Sequence, residues 1–218
     1  MAQIFPLPID VFFSTLLISE VHFDAPAQVV TSQTGGGEQL TADIGPALWS
    51  GEVILGRMTA SEAANATAMI DLLGPAGRSF HAYDPRRPFP ASDPGGIILG
   101  AATPSIFSIP AGGREMRIQG LPSGYVLGRG DYLAFDYGAG RRALHRVVSA
   151  SVVAAGGTTP VFEVHPMLRA GASVGAAVTL IRPACKAVLV AGSVNAGTSR
   201  RTITDGMSFR FQQTLGAA

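Results

Sequence analysis

The chain is poor in cysteine, lysine and charge. Cys185 and Lys186 are the sole residues of their types, and 14% of the 218 residues are charged. A single cysteine excludes an intrachain disulfide and any metal site built from several thiolates, and it fits a reducing compartment. The formal net charge is +1. Nothing in this balance calls for nucleic acid or an anionic membrane as a partner.

The chain also lacks a long hydrophobic run. No segment approaches the roughly 20 apolar residues that a membrane-spanning helix needs. The run at 11–18 follows Asp10, has no basic segment before it, and is not closely followed by a small-residue cleavage site. We therefore expect no signal peptide and a soluble, unexported chain. The β-branched and aromatic residues of this run favour a buried strand over the alternative, a short core helix.

Glycine, proline and apolar residues are abundant instead. The sequence has 27 Gly, 15 Pro and 47% hydrophobic residues. This composition predicts many short strands joined by tight turns, in one large domain or two small ones. A mainly β fold follows.

One segment predicts a helix between two strands. Thr59 and Glu62 have the spacing of a capping box, and Gly74-Pro75 ends the apolar periodicity. The predicted helix therefore covers 59–73, between strands at 48–55 and 78–83. Its expected buried face consists of Ala66, Met69, Ile70 and Leu73, and its expected solvent face of Glu62, Asn65 and Asp71.

The remaining chain divides into β-rich segments. Residues 29–32 and 39–42 flank three glycines and predict a hairpin. A proline-rich connector covers 91–110, and evenly spaced short strands from Met116 to Val190 suggest a small closed barrel of the OB type. After it, apolar residues alternate with polar ones in the C-terminal strand: Ile203, Met207, Phe209 and Phe211. We predict that this strand pairs with the N-terminal half, beside the strands around Trp49 or Phe80.

Residues with catalytic or ligand chemistry are scattered. The four histidines lie in predicted strands without a second ligand at metal spacing, so we assign them structural or surface roles: His22, His81, His145 and His165. The carboxylates Asp84 and Asp93 adjoin prolines in predicted turns. Asp131 and Asp136 bracket one strand on alternate faces, which disfavours a paired acid and base.

Two further patterns have plain structural interpretations. The tetrapeptide at 128–131, Gly-Arg-Gly-Asp, lacks the helix and Lys-Ser/Thr pair of a phosphate loop, and a hairpin turn is favoured over an integrin ligand. The pairs Arg86-Arg87 and Arg200-Arg201 fit solvated loop ends as well as a partner surface. We expect no catalytic residue, no cofactor and no metal site, and hence a protein that acts through its surface and is not an enzyme.

The order of these segments resembles the distal tail proteins of long-tailed bacteriophages and gene transfer agents. The resemblance lies in Trp49-Ser50-Gly51, the capped helix before Gly74, the stretch Phe80-His81-Ala82-Tyr83-Asp84-Pro85, the barrel, and the ending Gly206-Met207-Ser208-Phe209-Arg210-Phe211. It implies a tail-tube-type β-sandwich with one flanking helix, split by an inserted OB- or galectin-like barrel. The ring domain would cover 1–90 plus 192–218, the connector 91–110 and the barrel 111–191.

The resemblance also implies a function. The protein would form a homohexameric ring at the virion tail tip, between the tail tube protein and the baseplate hub, and would be made in the bacterial host cytoplasm. DNA would pass through its lumen without specific binding, and no membrane would be involved. The alternatives are another tail component, such as a tube or hub subunit, and a carbohydrate-binding module, which requires exposed aromatic rings.

Overall fold

The computed structural model describes residues 3–216, and it is mainly β with one α-helix. The helices are a 3-10 turn (Phe13–Thr15) and α1 (Ala60–Leu73). The first strands are β1 (Ile18–Asp24), β2 (Gln28–Gln33), β3 (Gln39–Gly45), β4 (Ser50–Leu55), β5 (Met58–Thr59) and β6 (Phe80–Ala82). The central strands are β7 (Ser105–Ser108), β8 (Glu115–Gln119), β9 (Val126–Gly128), β10 (Tyr132–Tyr137), β11 (Arg141–Val147), β12 (Ser151–Val153), β13 (Phe162–His165) and β14 (Val178–Thr179). The last are β15 (Cys185–Leu189), β16 (Thr198–Ser199), β17 (Ile203–Asp205) and β18 (Ser208–Gln213).

A five-stranded sheet gathers both ends of the chain, in the order β1-β4-β18-β15-β6. The C-terminal strand β18 pairs with β4, with Phe209 opposite Val53 and Phe211 opposite Gly51, so its predicted pairing with the N-terminal half is confirmed. Ile203 does not share this strand. It lies in β17, which forms a separate sheet with β16 and β5, because the backbone turns at Gly206 with a φ of 72°.

Helix α1 begins and ends where its sequence predicts. The Thr59 backbone N–H donates to the Glu62 carboxylate at 2.8 Å, and the Thr59 hydroxyl accepts the Glu62 backbone N–H at 3.4 Å. The Thr59 backbone N–H and the Thr59 hydroxyl, which also donates to the Glu62 carboxylate at 2.8 Å, lower the pKa of this exposed carboxylate. The buried face consists of Ala63, Ala66, Ile70 and Leu73, with Met69 half-buried beside them. No helix in residues 3–216 is long and apolar enough to span a bilayer.

The second sheet curls into a nearly closed barrel. Its six strands run in the order β14-β10-β11-β13-β8-β7. The ends of this order approach each other through the Ser105–Ala177 bridge, and Val178 N–H donates to the Pro104 carbonyl at 2.8 Å. Interior side chains such as Ile118, Leu133 and Phe135 are fully buried and fill the barrel. A mainly β fold with a sandwich-like sheet and a barrel is therefore confirmed.

The sheets divide the chain differently from the boundaries drawn at 91–110 and 111–191. Strand β7, placed in the connector, pairs with β8 in the barrel, whereas β15, placed in the barrel, pairs with β18 and β6 in the five-stranded sheet. The two end strands of the barrel sheet, β7 and β14, are joined to each other through the Ser105–Ala177 bridge. The apolar run that contains β15 indicates a buried strand but does not show to which sheet it belongs, so the sequence could not assign it.

The run at 11–18 is not a strand. It contains the 3-10 turn Phe13–Thr15, and β1 starts only at Ile18. Phe12 and Phe13 are both buried, although neighbouring side chains of a strand point to opposite faces. The turn lets both rings enter one core, where Phe12 packs on Phe80 and Phe209 and Phe13 on Phe80 and Phe211.

Candidate interaction surface

The hairpin of β2 and β3 projects as a free-standing arm. Its two strands pair in register from Val29 with Asp43 to Gln33 with Gln39, which confirms the predicted hairpin. No other strand in residues 3–216 pairs with it. From Val29 to Ile44 its side chains are exposed on both faces, except the half-buried Thr34 at the tip. We call residues 28–45 the arm.

One face of the arm is apolar. Cross-strand partners share a face, so Val30 with Ala42 and Leu40 with Ser32 lie on the same side. Val30 and Leu40 are 52% and 53% exposed, and Ile44 beside the register shift is 67% exposed. The opposite face holds mostly polar pairs, such as Thr31 with Thr41 and Gln33 with Gln39. The arm is therefore an amphipathic ribbon whose apolar face meets water.

The base of the arm is fastened to the barrel. A groove of about 670 Å³ separates the arm residues Gln28 and Asp43 from the barrel residues Glu163 and His165. Across this region the Arg169 guanidinium donates to the Ala47 carbonyl at 2.5 Å. Burial lowers the pKa of Arg169 from its ordinary value. This contact lies two residues beyond the end of the arm and ties its base to the barrel side of the groove.

The predicted turn at 128–131 is held together by its buried aspartate. The Asp131 carboxylate is fully buried and accepts the backbone N–H groups of Gly128 at 2.7 Å and Ala91 at 3.0 Å. Gly130 takes a φ of 88° and packs against the Arg87 guanidinium. Because both oxygens of Asp131 hold backbone groups, this tetrapeptide forms a turn with no carboxylate available to a receptor.

Asp93 organises the connector in a similar way. Its buried carboxylate accepts the backbone N–H groups of Ile98 and Leu99 at 2.8 and 2.9 Å, and the Tyr125 hydroxyl at 3.1 Å. Burial alone would raise the pKa of Asp93, but these hydrogen bonds outweigh it and the pKa is lowered. Leu99 is buried, and the neighbouring Ile97 is exposed.

Asp84 belongs to a chain of polar contacts beside the barrel. The Arg86 guanidinium donates to both Asp84 oxygens at 2.9 Å, and the Tyr132 hydroxyl donates to Asp84 at 3.1 Å. Arg146 donates to the Tyr132 hydroxyl at 2.8 Å, and its guanidinium lies 5.0 Å from the centre of the Trp49 ring. Burial raises the pKa of Tyr132. A crevice of about 340 Å³ is lined by Asp84, Arg86, Arg87, Tyr132 and Arg146.

The structure does not bring the histidines together. They lie in four strands, β1, β6, β11 and β13, and no group of three metal-ligating side chains occurs within residues 3–216. His145 is buried against Phe135, and its Nδ1 lies 2.8 Å from the Pro166 carbonyl. A carbonyl only accepts, so Nδ1 carries the proton and Nε2 has no partner. Burial lowers the pKa of His145 to about 4.

The remaining candidate residues from the sequence do not come together in one site. Asp131 is buried, whereas the Asp136 side chain is exposed and pairs with Arg142 at 2.9 Å, so the two carboxylates form no acid–base pair. Arg200 and Arg201 are exposed in the loop between β16 and β17.

The sequence predicted the hairpin through its three glycines. It did not show that the apolar face of the hairpin stays uncovered, because alternation identifies a face and not what covers it.

A scan against protein-family models and a search of the curated proteins found no match to this chain.

Proposed function

We propose that this chain is a structural ring subunit of the distal tail type, which joins a phage tail tube to the baseplate hub. The observation that carries the proposal is the arm, whose apolar face is covered by nothing in residues 3–216. A two-stranded hairpin is marginally stable in water, and contiguous exposed apolar surface marks an interaction site. An arm of this kind is expected to be covered by another subunit.

A ring gives every copy of the arm a partner. Head-to-tail contacts between identical chains close into a ring when the rotation between neighbours divides a full turn. The order of helix, barrel and C-terminal strand supports a six-fold ring at the virion tail tip, with the tail tube protein above, the hub below and duplex DNA passing through the lumen.

A carbohydrate-binding role receives less support. Sugar-binding modules stack exposed aromatic rings on the ligand, whereas Trp49 is fully buried. Among the large, exposed apolar side chains of the described residues, Phe107 is aromatic, and the Arg117 guanidinium lies 4.7 Å from its ring centre. A glycan-binding screen of the purified chain distinguishes the two functions.

The test is the mass and shape of the assembled protein. We expect rings in electron micrographs and a matching mass by light scattering, either alone or with the tube and hub subunits. Replacing Val30 and Leu40 with Asn should abolish assembly, because it removes the apolar face. The matched control replaces Thr31 and Thr41 on the polar face with Asn and should keep it. A chain that stays monomeric under all these conditions contradicts the proposal.

A further inference from the structure

The charges of the chain are divided unevenly. Residues 1–56 contain six carboxylates and no lysine or arginine, whereas residues 57–218 contain nine carboxylates and all 16 basic residues. The two segments carry formal charges of −6 and +7, which together give the net charge of +1. Part of this imbalance is neutralised within the chain, as in the Asp10–Arg182 ion pair. Acidic and basic groups that keep no partner favour contacts between the negative part of one copy and the positive part of the next.

The negative part includes the tip of the arm. The Thr34 N–H donates to the Glu38 carbonyl at 2.9 Å, and the Glu38 N–H donates to the Thr34 hydroxyl at 3.1 Å, so the turn is closed by its own hydrogen bonds. The intervening residues are Gly35, Gly36 and Gly37, which add no side-chain bulk. Glu38 is exposed, and it forms no ion pair with any described residue. The tip is thus a slim, preformed turn that carries one free carboxylate.

The positive part includes a groove beside the small sheet of β16, β17 and β5. Arg57 and Arg200 line it together with Thr198, Ile203 and Asp205, and its volume is about 520 Å³. Arg57 approaches Asp205 only to 3.9 Å, with both side chains mostly exposed. Arg200 forms no ion pair within the described residues. The groove therefore keeps an excess of positive charge in reach of a ligand.

We propose that the tip of the arm, with Glu38, docks in the Arg57/Arg200 groove of the adjacent copy of this chain. This inference rests on the proposed ring and names the contact that would join its subunits. The crevice beside Arg87 is a poorer partner, because it is smaller, at about 340 Å³, and its Arg86 is already paired with Asp84. In the groove, the Glu38 carboxylate would meet the Arg200 guanidinium, which has no ion pair among the described residues, and the Arg57 guanidinium, whose exposed contact with Asp205 is 3.9 Å long.

A charge-swap experiment tests the contact. Glu38→Arg and Arg200→Glu each place like charges together, and each should weaken subunit association about tenfold or more, measured by sedimentation at several protein concentrations. Combining both substitutions should restore association. Arg87→Glu is the matched control: it reverses the same charge in the other crevice and should leave association unchanged. All three positions are exposed, and circular dichroism checks that the variants fold.

The outcomes separate the contact from the ring. Association that is lost in the single variants and regained in the double variant establishes the contact. Wild-type rings that tolerate either single variant, or a double variant that remains dissociated, overturn the contact and leave the ring standing. A wild-type chain that never associates contradicts the proposed ring, and therefore the proposed contact as well.

Discussion

The indole Nε1 of Trp49 donates a hydrogen bond to the Leu144 carbonyl at 2.7 Å. Trp49 precedes β4 of the five-stranded sheet, and Leu144 lies in β11 of the barrel. The Trp49 ring also stacks on Phe23 of β1 and meets Tyr132 of β10 edge-on. One fully buried side chain therefore joins the two sheets through both a hydrogen bond and aromatic packing.

Trp49→Phe should destabilise the protein by about 1–3 kcal/mol, because it leaves the Leu144 carbonyl buried without its donor. The free energy of unfolding is measured in urea by circular dichroism, since the substitution removes the sole tryptophan. Phe107→Leu on the exposed barrel surface serves as the control and should cost much less. An unchanged midpoint in Trp49→Phe would show that the junction does not depend on this bond.

Thr59→Ala should cost about 1 kcal/mol, because it removes one half of the capping box of α1. Thermal unfolding measures the difference. The matched variant is Thr67→Ala in the middle of the same helix, where alanine has the higher helix propensity and the cost should be near zero. Equal effects at the two positions would argue against the cap.

Stability should fall as the pH falls from about 6.5 toward 4. The folded-state pKa of His145 is lowered to about 4 by burial, and desolvation also lowers that of His81 to about 4. The unfolded chain binds these protons first, so lowering the pH through this window favours unfolding. For fully buried His145 the full loss is about 3 kcal/mol.

Urea unfolding at pH 7 and pH 4.5 checks this dependence. His145→Gln removes the titrating group and should reduce the difference between the two pH values, whatever its effect on stability at pH 7. A difference that persists in full would assign the pH dependence to other groups.

Stopping the chain after Arg201 should leave the barrel folded and the five-stranded sheet collapsed. The truncation removes β18, which lies between β4 and β15, and with it the buried side chains of Met207, Phe209 and Phe211. Burial of each contributes roughly 1.5–3 kcal/mol. Limited proteolysis should cut the N-terminal half and spare residues 104–182. A truncated chain that melts like the full-length protein would contradict this architecture.

The parts of the fold that the sequence predicted are those with local signals. Thr59, Glu62 and Gly74-Pro75 mark the helix, and alternating aromatic residues mark β18. Strand β15 pairs with β18 and β6, and which sheet has room for it depends on the whole fold and not on local sequence. The two consecutive buried phenylalanines at 12 and 13 needed a turn that apolar content alone does not reveal. Burial of Asp93 and Asp131 was equally hidden, because turn carboxylates are usually solvated.

The arm shows the same limit for the candidate surface. Glycines at 35–37 predicted its turn, and the pairing of Val30 with Ala42 follows from the register. Whether a neighbouring element covers that face depends on residues far away in sequence. The candidate surface is therefore defined by an absence of packing among the described residues, which only the assembled fold reveals.

Strand β15 makes the chain resistant to the usual side-chain labels. Cys185 and Lys186, the sole thiol and sole lysine amine, are adjacent in it; both are buried, and Lys186 Nζ donates to the Gly140 and Gly216 carbonyls at 3.2 Å. Burial also raises the pKa of Cys185 to about 12, so little reactive thiolate exists. Maleimide and succinimide reagents should react with these side chains only when β15 separates from its neighbours. The rate of either modification then reports how often the five-stranded sheet opens at β15.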